Sequence, residues 1–286
     1  MNQHTNKQLM VGLPGTGKTT FLAALWHIVE SGEIPGALRL ERLHGNLQYL
    51  NEIRNSWLGC RPLARTVPGA ERVVSMRLYE PQGRDITEVV IPDLSGESFN
   101  SQWKDRKWTK EYDSLVKAAN GALIFVHPEK LKEPTRIDMA DPLVAELDEN
   151  GGESPSEIDD FIPWNPEFSP TQVKMVDLLQ FLALYLNASS PLRIALIISA
   201  WDLVLNDEKA PSDWLSYHLP LLEQYLGANH DKFTTKVFGV SAQGGELEMD
   251  SAQLCSRMHA SERVIVEIDG CPKSHDLTAP IKWVMG

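Results

Sequence analysis

Cysteine is scarce, with three in 286 residues. That is too few for a disulfide scaffold, so a reducing compartment, the cytoplasm, is expected. No apolar run approaches the roughly 18 residues that a spanning helix needs, and no membrane segment is expected. The opening stretch from Met1 to Met10 is polar and runs directly into a glycine-rich motif, unlike a secretory signal. Basic residues are outnumbered, 27 against 39 acidic, for a net charge of −12. Little is left to neutralise phosphate backbones, which argues against nucleic acid as a partner.

What is present is the composition of a folded globular protein, 42% hydrophobic and 23% charged. The length suits one α/β domain with insertions, and the whole chain, 1–286, reads as a single domain. Residues 129–170 hold twelve acids against three bases and are interrupted by six prolines. Such a stretch builds little core of its own, so it reads as an acidic insertion on a compact body.

Elsewhere apolar runs alternate with amphipathic ones, the pattern of a doubly wound, mostly parallel sheet. Strands are expected at Lys7 to Gly12, Arg72 to Tyr79, Ile86 to Ile91, Gly121 to His127, Arg193 to Ser199 and Lys236 to Val240. The pair around Pro81-Gln82-Gly83 reads as two strands joined by a turn. Helices are expected at Lys18 to Glu30, Gln172 to Leu186, Trp214 to Leu226 and Ala279 to Met285. Residues 245–276 read as an irregular excursion, with one further strand at Arg263 to Ile268.

Gly12-Leu13-Pro14-Gly15-Thr16-Gly17-Lys18-Thr19 matches the P-loop pattern in full between a strand and a helix. Glycines let successive N–H groups converge on a phosphate at the positive end of a helix. Lys18 would reach the terminal phosphates and the Thr19 hydroxyl would ligate Mg2+; Thr20 follows on the same helix. Nucleoside-triphosphate binding is the firmest expectation, against a glycine-rich turn with a fortuitous lysine.

Four further signals follow in the order of a GTPase. Asp93-Leu94-Ser95-Gly96 ends a strand, where the carboxylate would hold magnesium through water and the Gly96 N–H would sense the γ-phosphate. Thr66, in the loop before the second strand, would complete the magnesium shell. Ser199-Ala200-Trp201-Asp202 stands where such proteins carry Asn/Thr-Lys-x-Asp; Asp202 would accept from N1–H and the amine of guanine, a donor pair adenine lacks. The lysine position is Ala200, and Trp201 is a candidate for its packing role. Ser241-Ala242-Gln243 is similar to a Ser-Ala-Lys base loop.

In this order the motifs resemble the TRAFAC class of P-loop GTPases, with a Ras-like fold. Closer still, VGLPGTGKTTFLAALWHIV, IPDLSGE, and KMVDLLQFL before ISAWDLV resemble the bacterial double-GTPase families, specifically the second subtype. The resemblance implies a cytoplasmic GTPase of conflict or phage-defence systems that works with a partner GTPase or effector.

Phosphoryl transfer to water needs mainly positioning and charge neutralisation. Lys18, Thr66, Gly96 and Glu97 are the catalytic candidates. Glu97 takes the place after Gly96 where many small GTPases orient water with glutamine, and its negative charge implies slow intrinsic turnover. Pro14 removes one possible N–H contact. Arg61 and Arg65 are candidate internal arginine fingers, although surface arginines are common. Trp57, Trp103 and Trp108 lie in or beside the switch regions, as partner anchors or as ordinary packing. Cys255, His259, Cys271 and His275 repeat one spacing, which is too loose to commit to zinc.

Two rival functions remain. The P-loop alone serves an ATPase or P-loop kinase equally well, and the choice of GTP rests on Asp202 and on Asp93 with Gly96. A nucleotide-dependent assembly module with vestigial hydrolysis is motivated by Pro14, Glu97 and the missing lysine.

Overall fold

The computed structural model describes residues 6–63, 73–83, 85–92, 102–134, 165–185, 191–205 and 210–286. Among these residues eight strands form one sheet: β1 (Asn6–Gly12), β2 (Arg39–His44), β3 (Val73–Tyr79), β4 (Ile86–Pro92), β5 (Gly121–Val126), β6 (Leu192–Ser199), β7 (Phe233–Ser241) and β8 (Ile265–Glu267). Their order is β2-β3-β4-β1-β5-β6-β7-β8. The central strands β4, β1, β5, β6 and β7 pair in parallel, whereas β2, β3 and β8 pair antiparallel at the two edges.

Parallel neighbours require crossovers, and these bring helices to both faces. The helices are α1 (Lys18–Ser31), α2 (Leu47–Leu58), α3 (Lys110–Ala118), α4 (Thr171–Tyr185), α5 (Pro211–His218), α6 (Pro220–Ala228), α7 (Leu247–Cys255) and α8 (Ala279–Met285). Strand alternation divides the core in two. Met10, Leu123, Phe125, Ala195 and Ile197 face α1, α2 and α8, where Phe21, Trp57 and Ile281 are buried. Leu9, Val11, Ile124, Leu196 and Ile198 face the other way, against Tyr112, Met175, Leu179, Trp214 and Leu222 from α3 to α6. Each such aliphatic or aromatic side chain contributes about 1.5–3 kcal/mol on leaving water. The expected fold class, a doubly wound and mostly parallel P-loop sheet, is the one observed. No described helix is long and apolar enough to cross a membrane.

Several elements differ from expectation for identifiable reasons. The single helix expected at Trp214 to Leu226 is two, α5 and α6, with Pro220 as the first residue of the second. Proline lacks the N–H that would continue the first helix and suits the first turn of a new one. RLERLH forms β2, an edge strand whose mix of charge and leucine hides its periodicity. The strand expected as second is therefore third in the chain. The region 245–276 is more regular than expected: it holds α7 and β8, the latter paired with β7 but shorter than the strand expected there.

Residues 135–164 of the acidic insertion lie outside the described residues. Its two ends are fastened together. Lys132 N–H donates to the Thr171 hydroxyl at 2.8 Å, and Thr171 N–H donates to the Lys132 carbonyl at 2.9 Å.

Candidate functional site

The P-loop bridges β1 and α1. Gly15 and Gly17 take left-handed φ of 72° and 79°, a region that costs other residues strain. Gly17 also passes close to the end of β6, where an added Cβ would stand 3.2 Å from Ser199 Cβ. The Thr16 hydroxyl donates to the Leu13 carbonyl at 2.8 Å, closing the loop on itself. The Lys18 ammonium donates to the carbonyls of Gly12 and Leu13 at 2.7 and 2.8 Å, which holds it across the loop. Helix α1 starts with no side-chain cap and no acidic residue in its first turn. Nothing anionic in that turn competes for its N-terminal amides, the positive end of the helix dipole.

Next to this loop the chain builds the other half of the site from the ends of β5, β6 and β7. The Ser199 hydroxyl donates to the Val126 carbonyl at 3.0 Å, tying β6 to β5. Ala200 turns the chain with φ 47°, and Trp201 to Leu203 form a short 3-10 turn that carries Asp202. After β7, the Ser241 hydroxyl accepts the Gly244 N–H at 2.8 Å. The Ala242 carbonyl accepts the Trp57 indole N–H at 2.9 Å. Between these loops lies a cavity of about 300 Å³ whose wall includes Gly17, Thr20, Ser199, Asp202, Ser241 and Ala242. That volume is in the range of small-molecule sites, and its place beyond the carboxyl ends of parallel strands is where α/β sheets bind ligands.

Lys18 and Thr19 line a smaller cleft together with Ile91 and Pro92, the end of β4. Its chemistry suits a magnesium ion as far as the described residues extend, because the Thr19 hydroxyl is a hard oxygen donor in the first turn of α1. Asp93, Gly96 and Glu97 follow directly on Pro92 but lie outside the described residues, as do Thr66 and Arg65.

The structure places the remaining candidate residues. Trp201 does not line the cavity: it is buried, its indole N–H donates to Glu267 Oε2 at 2.9 Å, and its ring lies over Gly239. Any Cβ at 239 would meet that ring at 2.4 Å, so the glycine makes room for it. Trp57 is no surface anchor, being fully buried with the Arg263 guanidinium 3.8 Å from its ring centre. Trp103 donates to the Pro166 carbonyl at 2.7 Å, and Trp108 packs at 5.1 Å on Tyr112 and 5.2 Å on Phe181. Arg61 caps the end of α2, donating to the Asn55 carbonyl at 3.4 Å. His275 Nδ1 lies 2.6 Å from the Val264 carbonyl, and the Cys255 thiol donates to the Leu58 carbonyl at 3.8 Å. Among the described residues, no three His, Cys, Asp or Glu side chains cluster as a metal site.

Among the cavity residues that escape the sequence reading are three titratable ones, His127, Glu129 and Glu246. Burial holds the His127 imidazole below its usual pKa, and Lys130 adds to this, while Glu129 and Asp202 pull the other way. The sequence signal for His127 is its place at the end of an unbroken apolar strand.

A P-loop on the central strand of such a sheet, with an aspartate and a serine-alanine loop closing one cavity beside it, defines a GTPase-type nucleotide-binding domain. The chain belongs to the Double-GTPase 1 family, whose model matches residues 9–284. The matching model is thus that of the first double-GTPase family, whereas the sequence motifs pointed to the second subtype. No curated protein sequence matches the chain. Among solved structures, the GTP-bound GTPase-like domain of S. cerevisiae Ski7 is similar at 12% identity, over 84% of this chain and 43% of that one, with TM-score 0.40. The G domain of the T. maritima FeoB iron transporter is 9% identical over 88% of this chain and 97% of its own, TM-score 0.32. Methanosarcina barkeri Roco2 RocCORdC bound to GDP is 12% identical over 88% and 48%, TM-score 0.28. This chain therefore spans less than half of the Ski7 chain that it matches.

Proposed function

We propose that the protein binds GTP with Mg2+ and hydrolyses it slowly, acting as a cytoplasmic switch on an effector or partner GTPase in a bacterial defence system. The observation that carries the nucleotide reading is the meeting of the P-loop, Asp202 and Ser241-Ala242 around one cavity. The base would occupy that cavity, with Asp202 accepting from its N1–H and amine, while the phosphates run along the loop to the start of α1.

Lys18 would exchange the Gly12 and Leu13 carbonyls for phosphate oxygens, stabilising charge on the β- and γ-phosphates. Thr19, Thr66 and Asp93 would hold magnesium, which when bound neutralises charge on the phosphate oxygens. Gly96 would sense the γ-phosphate, and Glu97 would orient water as an acceptor while repelling the phosphate. That repulsion supports slow turnover, with the missing positive charge supplied by a partner. The defence role is supported by the family resemblance.

Calorimetry with Mg2+ and GTP or ATP tests the reading. Tighter binding of GTP and slow phosphate release are expected; equal affinity for both nucleotides overturns the guanine assignment. Binding without any phosphate release favours the second reading, an assembly module with vestigial hydrolysis, which Pro14, Glu97 and Ala200 support. Co-purification with a GTPase or effector encoded beside it tests the partner role, and a stable monomer that captures neither overturns it.

A further inference from the structure

The base side of the cavity lacks the lysine of the related motif. Ala200 stands in its place, and Trp201 is turned into the core. The neighbouring strand supplies another polar ring. His127 directly follows β5, one residue past the carbonyl that receives the Ser199 hydroxyl, and it lines the cavity with Asp202.

The hydrogen bonding of this ring fixes its proton. His127 Nδ1 accepts the Glu129 backbone N–H at 3.2 Å, capping the short turn Pro128–Lys130. A ring nitrogen that accepts carries no hydrogen, so the neutral imidazole keeps its proton on Nε2. Burial favours that neutral form. Among the described residues, Nε2 has no protein acceptor. The cavity wall therefore offers an acceptor, the Asp202 carboxylate, and a neutral N–H donor from the adjacent strand end.

Guanine presents the complementary edge: a donor pair at N1 and the amine, and next to it the O6 carbonyl. We propose that His127 is a base-reading residue, whose Nε2–H donates to O6 of guanine beside Asp202. It adds a polar contact to a base site from which the packing lysine is absent. Adenine carries an amine where guanine has O6, so the same N–H would face a donor and disfavour it. The inference rests on the guanine reading of the cavity.

Competition binding of GTP, ATP and XTP to the full chain tests it, with His127→Asn, His127→Gln and Asp202→Asn in parallel. Asparagine keeps an acceptor for the Glu129 N–H, as a favoured cap, but does not extend to the Nε2 position. Glutamine keeps an amide donor at longer reach. His127→Asn should leave the nucleotide-free melting temperature unchanged and lower GTP affinity about tenfold, the order expected when a buried carbonyl loses its donor, without weakening ATP. His127→Gln should recover part of that loss. Asp202→Asn should move preference from GTP to XTP, whose C2 oxygen suits the new amide donor. An unchanged GTP-to-ATP ratio in His127→Asn, with the Asp202→Asn shift intact, overturns the role of His127 and leaves the guanine site standing. No shift in Asp202→Asn overturns the guanine site and the inference together.

Discussion

The indole N–H of Trp57 donates to the carbonyl of Ala242 at 2.9 Å, fastening the end of α2 to the loop after β7. These residues are 185 apart in sequence. Arg263 completes the joint: its guanidinium lies on the Trp57 ring and donates to the Trp57 carbonyl and, at 2.8 Å, to Cys60 Sγ. The segment leading from α2 toward Thr66 and the Ser241-Ala242 loop of the cavity thus share one buried anchor.

Trp57→Phe keeps an aromatic face for Arg263 but deletes the N–H. A buried carbonyl left without its donor costs about 1–3 kcal/mol, so the melting temperature should fall and GTP should bind more weakly. Thermal melts with and without nucleotide check this. Unchanged stability would show that the Ala242 carbonyl finds another donor.

Lys18→Ala removes a side chain whose ammonium contacts the loop carbonyls, with its stem outside the buried core. Triphosphate binding should be lost while the nucleotide-free melting temperature changes by less than about 1 kcal/mol in equivalent stability, as for substitutions away from the core. Calorimetry and a thermal melt separate the two effects. Collapse of the fold would assign Lys18 a structural role instead.

Tyr112, on α3, is buried with a hydroxyl that has no partner among the described residues, and burial raises its pKa. Deleting an unsatisfied buried hydroxyl removes a desolvation cost. Tyr112→Phe is expected to be neutral or stabilising by up to about 1 kcal/mol in denaturant unfolding. Clear destabilisation would place a partner on that oxygen.

Glu33 joins α1 to the region before β8. Its carboxylate accepts the Ser261 N–H at 3.2 Å and lies 3.0 Å from His27 Nε2. Burial alone would raise its pKa, but the bonds from Ser261 and the pairing with His27 outweigh it, so the net shift is downward. A carboxyl that is more acidic when folded adds stability above its unfolded pKa, and that stability is lost as pH falls through the folded one. Glu33→Gln should therefore destabilise the protein at neutral pH, and the gap from wild type should shrink under acid. Parallel curves across pH would contradict the pairing.

The P-loop was legible because its chemistry is local: the glycines, Lys18 and Thr19 are consecutive, and the flanking β1 and α1 carry clear apolar patterns. Asp202 was legible for the same reason, at the end of an apolar strand. The direction of Trp201 was not, because it depends on Gly239 across the β6–β7 pairing. His127 enters the site only through the register that sets Val126 beside Ile198. Trp57 looked like a loop aromatic because no helix was expected around it, although Leu50, Ile53 and Trp57 share its buried face, and its partners Ala242 and Arg263 lie far along the chain. Pro220 is the instructive miss, since a proline inside an expected helix already forbids its continuation.

The paired hydrogen bonds between Lys132 and Thr171 make departure and return of the acidic segment a single point on the body. Chain length between those anchors is then uncoupled from sheet register, and loop-closure entropy grows by only about 0.6 kcal/mol per doubling of length. Material can be grafted, trimmed or exchanged there while the sheet and the P-loop keep their shape, which makes this the seam where the fold best tolerates insertion.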